Sequence, residues 1–394
     1  MMGRNDGHRW IGWIYSKKWH EPHKGSLNKR KDLIVMLIPY KMFFLSLDLW
    51  CKIIFGAFIV LFLSSFSMTL MAQSDPMETW EYAEPSSSFN FKVERFKANP
   101  IIHREMSGLI GDAGRNINGP SLIRVPDWID NPLGNYYLYF AHHHGEFIRM
   151  AYADRLEGPW KIYKPGVLPL EETPAYDGAD RDHVASPDVH VDHDNHQIRM
   201  YYHGDPRPGR DDIPYQRSYV ALSQDGLHFD SLPDETGLFY FRVIRHNNWY
   251  YAFAKYINDG GIIYRSRDGL TNFEEGPRIL PRVRHMALWK HDRNLYVFYS
   301  RGLDTPEHIL VSRIENLDDD WHDWKFTKPQ TVIKPEKDFE GVNEPVGESR
   351  FGATDDFVHQ LRDPAIFEEN GRIYLLYSSA GEWSISIAEI FLEE

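Results

Sequence analysis

Two carboxylates in this sequence stand where polar chain turns into apolar, β-type runs. They are Asp188, in Ser186-Pro187-Asp188-Val189, and Asp363, in Arg362-Asp363-Pro364-Ala365. His285 opens a third such run, in Arg284-His285-Met286. A carboxylate can accept a proton or hold a hydroxyl group, and an imidazole titrates close enough to neutral pH to give or take one. Arg242, Arg284 and Arg362 share these starts, and a planar guanidinium pairs bidentately with carboxylate or sulfate. Such a set could move protons on a hydroxylated, negatively charged ligand. The plainer role for each is structural: an Asp that caps a strand, an Arg that ties neighbouring elements together.

What must position these residues is visible as a repeat. Five aromatic-rich runs recur: Tyr136-Tyr137-Leu138-Tyr139-Phe140, Ile198-Arg199-Met200-Tyr201-Tyr202, Trp249-Tyr250-Tyr251-Ala252-Phe253, Leu295-Tyr296-Val297-Phe298-Tyr299 and Ile373-Tyr374-Leu375-Leu376-Tyr377. Each follows a shorter apolar run and precedes another, with turn signals such as Gly158-Pro159, Asp225-Gly226 and Asp268-Gly269 behind. β-branched and aromatic runs of this length are strands, and no long 3.6-residue period occurs after residue 88. Five such units predict an all-β fold, a five-bladed β-propeller over 89–394. The segment Phe89-Asn90-Phe91-Lys92-Val93 would supply the outer strand that the last blade lacks. A β-sandwich is the structural alternative, with more even turn spacing expected.

In a propeller the first strand of each blade lines the central channel, and its start shares a face with the loop between strands two and three. That geometry gathers Asn118, Tyr240, Arg242 and the residues above with His143, His203, Lys255, Arg301 and Glu382 from those loops. Asp188, Asp363 and His285 are the catalytic candidates. Asn118, His143, Tyr240, Arg242, Arg284, Arg301 and Arg362 are the substrate-binding ones.

The chain as a whole has 394 residues, 57 acidic against 44 basic, and one cysteine. The acidic balance argues against a nucleic-acid partner. Residues 1–52 are basic, residues 53–72 are uncharged and apolar, and Gln73-Ser74-Asp75-Pro76 follows. This order predicts a leader over 1–72, either cleaved as a signal or kept as an anchor, and hence an exported protein, periplasmic or secreted. Residues 73–88 read as a linker. Cys51 lies in the leader, so the propeller has no thiol and no disulfide.

Asp363-Pro364 before an apolar strand, Ser186-Pro187-Asp188-Val189, and the blade-ending phrases Ala153-Asp154-Arg155-Leu156-Glu157-Gly158-Pro159-Trp160 and Ser223-Gln224-Asp225-Gly226 resemble glycoside hydrolase family 43 and its relatives, families 32, 62 and 117 among them. The resemblance spans 89–394 and implies a five-bladed propeller that cleaves glycosidic bonds. It also implies an Asp base in blade one, an Asp modulator in blade two and a Glu acid in blade three. Of these, the second falls on Asp188. Blade one reads Asn118-Gly119-Pro120 and blade three Tyr240-Phe241-Arg242, so the two-carboxylate mechanism is not carried over whole.

Within that resemblance His285 becomes the acid candidate, as some family-117 relatives suggest, with Glu344 or Glu348 as substitutes from the long loop before blade five. The leading expectation is a hydrolase acting on an acidic, uronic-acid-containing or sulfated oligosaccharide, or on a modified one. A polysaccharide lyase is the alternative, with arginine neutralising a uronate and His143, Tyr240 or His285 taking the proton. A non-catalytic sugar-binding propeller is the third reading. No cofactor is required and no protein partner is implied. A divalent cation in the channel would need a ligand such as His203 beside the His142-His143-His144 run, because adjacent strand residues face opposite ways.

Overall fold

The computed structural model describes residues 80–178, 183–206 and 215–394. The leader, with its apolar run at 53–72, lies outside them. Among the described residues no helix is long and apolar enough to cross a membrane.

Five antiparallel sheets make five blades. Blade I runs Asn118–Arg124, Tyr136–Ala141, Phe147–Ala153 and Lys161–Pro169. Blade II is built on Val184–Asp192, Gln197–Gly204 and Arg217–Ser223, with Asp230–Ser231 and Gly237–Leu238 on its outer edge. Blade III runs Arg242–His246, Trp249–Lys255, Gly261–Ser266 and Glu274–Ile279. Blade IV runs Val283–His291, Asn294–Arg301, Ile309–Ile314 and Gln330–Ile333. Blade V runs Leu361–Glu369, Arg372–Ser379 and Ser384–Glu393, and Asn90–Arg95 from the other end of the chain pairs as its outermost strand. The fold is therefore the all-β, five-bladed propeller that the aromatic repeat predicts.

The aromatic strands are second in every blade, and their rings are the packing between blades. Five apolar clusters result, one at each blade interface. Tyr139, Tyr201 and Tyr299 are completely or nearly completely buried there, and their hydroxyls are satisfied by Gly226 O, Gly269 O and Ser312 Oγ. Burial of such rings contributes about 25 cal/mol per Å² of apolar surface removed from water, which suits a propeller without cross-links. Residues 80–88 of the expected linker lie on the propeller: Trp80 and Tyr82 pack on the cluster between blades III and IV, and Ser86 and Ser87 bond Glu315 and Arg313.

One irregularity recurs and decides where side chains point. In the inner strand of blade I, Gly119-Pro120 is an extra-residue bulge between Asn118 and Ser121; in blade II it is Ser186-Pro187, in blade IV Arg284-His285 and in blade V Asp363-Pro364. In blade III the Lys255 N–H bonds Phe239 O while Arg242 pairs with Phe253, which puts Tyr240-Phe241 in the same place. Gly119, Ser186, Tyr240 and Asp363 hold φ values of 57°, 49°, 65° and 49° there. Left-handed backbone costs a non-glycine residue about 1–3 kcal/mol and persists where the surroundings impose it. Bulges re-aim side chains, often beside active sites.

Candidate functional site

The bulges of blades III, IV and V bring Tyr240, His285 and Asp363 together. His285 Nδ1 contacts Asp363 Oδ1 in a buried pair, and Ser378 Oγ donates to the other carboxylate oxygen at 3.1 Å. Tyr240 stands with its ring centroid 4.0 Å from that of His285. The tyrosine ring also meets His203 edge-on, with centroids 4.3 Å apart.

Burial would raise the Asp363 carboxyl, but His285 and Arg284 outweigh it and hold it below the usual range. Burial pushes the His285 imidazole down, against the pull of Asp363. The pair at neutral pH is therefore a carboxylate accepting the Nδ1 proton of a neutral imidazole. Nε2 has no hydrogen-bond partner among the described residues. Asp363 and His285, expected as separate base and acid, are one unit.

Around this pair runs a second layer of buried ions. Glu382 Oε1 takes Arg362 at 2.9 Å and Arg284 at 3.6 Å, while Oε2 accepts from Asn116 at 2.5 Å and Asn118 at 3.3 Å and faces His143 at 3.4 Å. Burial would raise this carboxyl too; His143, Arg362 and Arg284 pull it far below the carboxylate range. Glu307 faces Arg284 at 3.1 Å and Arg362 at 3.2 Å, and accepts from Ser300 at 2.7 Å. These contacts join blades IV, V and I at the seam where the ring closes.

The arginines are consequently occupied. Arg284 also donates to Arg350 O at 2.6 Å and Gly352 O at 3.0 Å. Arg242 donates to Met286 O at 3.1 Å and Pro187 O at 2.9 Å, and lies 3.9 Å from Asp188. Arg301 turns aside to Asp304 at 3.0 Å. The expectation of open guanidinium groups for an anionic ligand gives way to these partners: buried arginines need counter-charges, and the fold supplies them.

Asp188 is not brought to the His285 pair. It follows its bulge where Asp363 lies within one, so it corresponds in register to Ala365. Its carboxylate accepts from His190 Nε2 and the Val243 N–H, both at 2.8 Å. It lines a separate channel cavity of about 310 Å³ with Ser121, His190, Arg242 and Glu368. Glu348 is exposed and Glu344 is half-buried, and neither has a contact with the His285 pair among the described residues. Among the described residues no three His, Cys, Asp or Glu side chains form a group that could hold a metal ion.

The covering of the site comes from the loop before blade V. Phe351 lies over Arg284 and over Lys255, its ring 5.0 Å from the lysine Nζ, and it fills the space above Gly302. Sequence reasoning missed Asn116, just before the inner strand of blade I, and Glu307, in the loop between the second and third strands of blade IV. A carboxylate straight after the turn Thr305-Pro306 was the available signal for Glu307.

Protein R118 of Acanthamoeba polyphaga mimivirus, itself described as uncharacterized, is 34% identical over 328 residues, covering 76% of this chain and 90% of that protein. The chain belongs to the family of that viral protein. Against models of known protein families it finds no match. Among solved structures, an N-acetylgalactosamine deacetylase from F. plautii in complex with blood group B trisaccharide superposes with a TM-score of 0.51 at 10% identity, over 76% of this chain and 95% of that one. An exo-1,5-alpha-L-arabinanase from a bovine ruminal metagenomic library gives 0.47 at 13%, over 71% and 94%. The likeness to the deacetylase is one of fold alone.

Proposed function

We propose that the protein is a glycoside hydrolase in which His285 and Asp363 act as one proton-transfer unit. The observation that carries this reading is the buried His285–Asp363 contact, set within two adjacent inner-strand bulges beside Tyr240. Asp363 fixes the imidazole through Nδ1, as a carboxylate orients a histidine in hydrolytic triads. Nε2 is then free to take the proton of an attacking water. Its lowered pKa keeps the imidazole neutral and receptive at neutral pH. The buried Tyr240 ring, packed against His285 and His203, holds the imidazole in place. The fold likeness to a deacetylase solved with a bound trisaccharide agrees with a sugar substrate.

Acidic oligosaccharides belong to this proposal in a narrower form. Arg242, Arg284 and Arg362 are committed to carbonyl and carboxylate oxygens of the protein. A uronate or sulfate would have to meet Lys255, which forms no ion pair among the described residues. The same commitments remove the guanidinium that a lyase needs to neutralise a uronate. Export, by the leader at 1–72, is likewise part of the proposal.

The test is incubation with a panel of neutral, uronic and sulfated oligosaccharides, with reducing ends and ultraviolet absorption read in parallel. New reducing ends without a conjugated product, abolished by His285→Ala, support hydrolysis. An unsaturated product would establish a lyase, and binding without either product a sugar-binding propeller.

A further inference from the structure

Hydrolysis needs a proton donor for the departing oxygen as well as a base for water, and the His285–Asp363 unit supplies one of the two. Blade III, where the sequence resemblance implies a carboxylic acid, has Tyr240-Phe241-Arg242 at its inner-strand start. The same end of that blade carries Lys255, the last residue of the second strand.

Lys255 is more than nine-tenths buried. Its backbone N–H bonds Phe239 O at 3.0 Å. Its Nζ lies 5.5 Å from the Phe239 ring centroid, 5.6 Å from Tyr240 and 5.0 Å from Phe351. No carboxylate forms an ion pair or hydrogen bond with it among the described residues. Tyr240 therefore has His285 against its ring and the Lys255 amine at 5.6 Å from the same ring.

We propose that Lys255 is the catalytic proton donor of this site, the counterpart of His285 beside the same Tyr240 ring. The inference rests on the hydrolytic reading above. In the step, the water oxygen bonds to the anomeric carbon and its proton passes to His285 Nε2. The bond from the anomeric carbon to the glycosidic oxygen breaks, and that oxygen takes a proton from Lys255 Nζ and leaves as an alcohol. The neutral amine and the imidazolium then exchange protons with solvent, which restores both.

The surroundings fit a donor. Burial, and then the Arg284 charge, lower the amine to about 7, against the opposite pull of Glu307 and Asp363. An ammonium desolvated among aromatic rings gives up its proton more readily than one in water. After transfer the neutral amine is the form that the apolar cage prefers.

The test pairs Lys255→Met, which keeps the unbranched apolar stem and removes the amine, with two substrate types. For an oligosaccharide or alkyl glycoside, whose leaving oxygen must be protonated, kcat should fall on the order of 10²–10⁴-fold. For the matching dinitrophenyl glycoside, which leaves without a proton, the loss should stay within about tenfold. Equal losses on both, or no loss, overturn the proposal. A raised KM confined to uronides, with kcat intact, also overturns it and makes Lys255 an anion subsite. A second measurement needs no turnover: acylation of Lys255, followed by peptide mass spectrometry across pH, should show a midpoint near 7. A midpoint near that of free lysine overturns the donor role even if the enzyme hydrolyses glycosides. A low midpoint with no cleavage of any glycoside by the wild type sinks the hydrolytic reading, and the donor role with it.

Discussion

The Tyr240 ring packs against the His285 imidazole with centroids 4.0 Å apart, although the two residues come from different blades. Each is held there by a bulge that turns a channel-lining strand for one residue. Proton transfer depends on placement within fractions of an ångström, and the bulges provide it in a rigid sheet rather than a loop.

Asp363→Asn should leave the fold intact and lower kcat on the order of 10²–10⁴-fold, because the imidazole loses the acceptor that fixes its tautomer. The pH profile supplies a second signature. Activity that requires neutral His285 falls as pH drops through the histidine pKa, and Asp363 raises that pKa. Its removal should shift the acid limb to lower pH. An unshifted limb with full kcat would show that the pair takes no part in turnover.

Asp188→Asn should act on stability instead. The carboxylate ties blade II to blade III through the Val243 N–H, and a charge-assisted bond of that kind contributes about 1.5–3 kcal/mol. A lowered denaturation midpoint with kcat within a few-fold of wild type is expected. A large fall in kcat at unchanged stability would bring Asp188 back as a catalytic group.

Glu382→Gln should be among the more damaging substitutions, costing about 3–5 kcal/mol, since it removes one of the two carboxylates that neutralise the buried Arg362 and Arg284. Acid should act through the same group. Glu382 and Asp363 are held below their ordinary range in the folded protein, so the unfolded chain binds more protons in acid. Their stabilisation is complete above roughly pH 4.5 and is lost as pH falls through the folded values. Tm measured from pH 7 to 3 should drop steeply below that point, and less so in Glu382→Gln.

Gly302→Ala would place a methyl group well inside contact distance of the Phe351 ring. Phe351 must then move, at a cost of about 1–3 kcal/mol, and uncover Lys255. Faster acylation of Lys255 in this variant is the expected result. An unchanged rate would mean that Phe351 does not limit access.

How much of this was legible in the sequence differs by residue. The aromatic strands announced themselves because their rings fill blade interfaces, and that burial demands apolar side chains at fixed spacing in the chain. The inner-strand starts were legible for the same reason, and with them Asp363, His285, Tyr240 and the face on which Glu382 and Lys255 lie.

The partners were not. Whether Arg284 and Arg362 stand open or meet Glu307 and Glu382 is a matter of ångströms across blades far apart in the chain, and local pattern carries no record of it. Asp188 and Asp363 look alike in sequence, each beside a proline at the head of an apolar run. A bulge that contains one and precedes the other gives them different partners: Asp363 meets His285, while Asp188 lines a separate cavity. Composition and spacing determined the propeller. Only the tertiary structure decided which charges are already neutralised and which proton-bearing groups remain to do chemistry, because electrostatic pairing depends on distance through space.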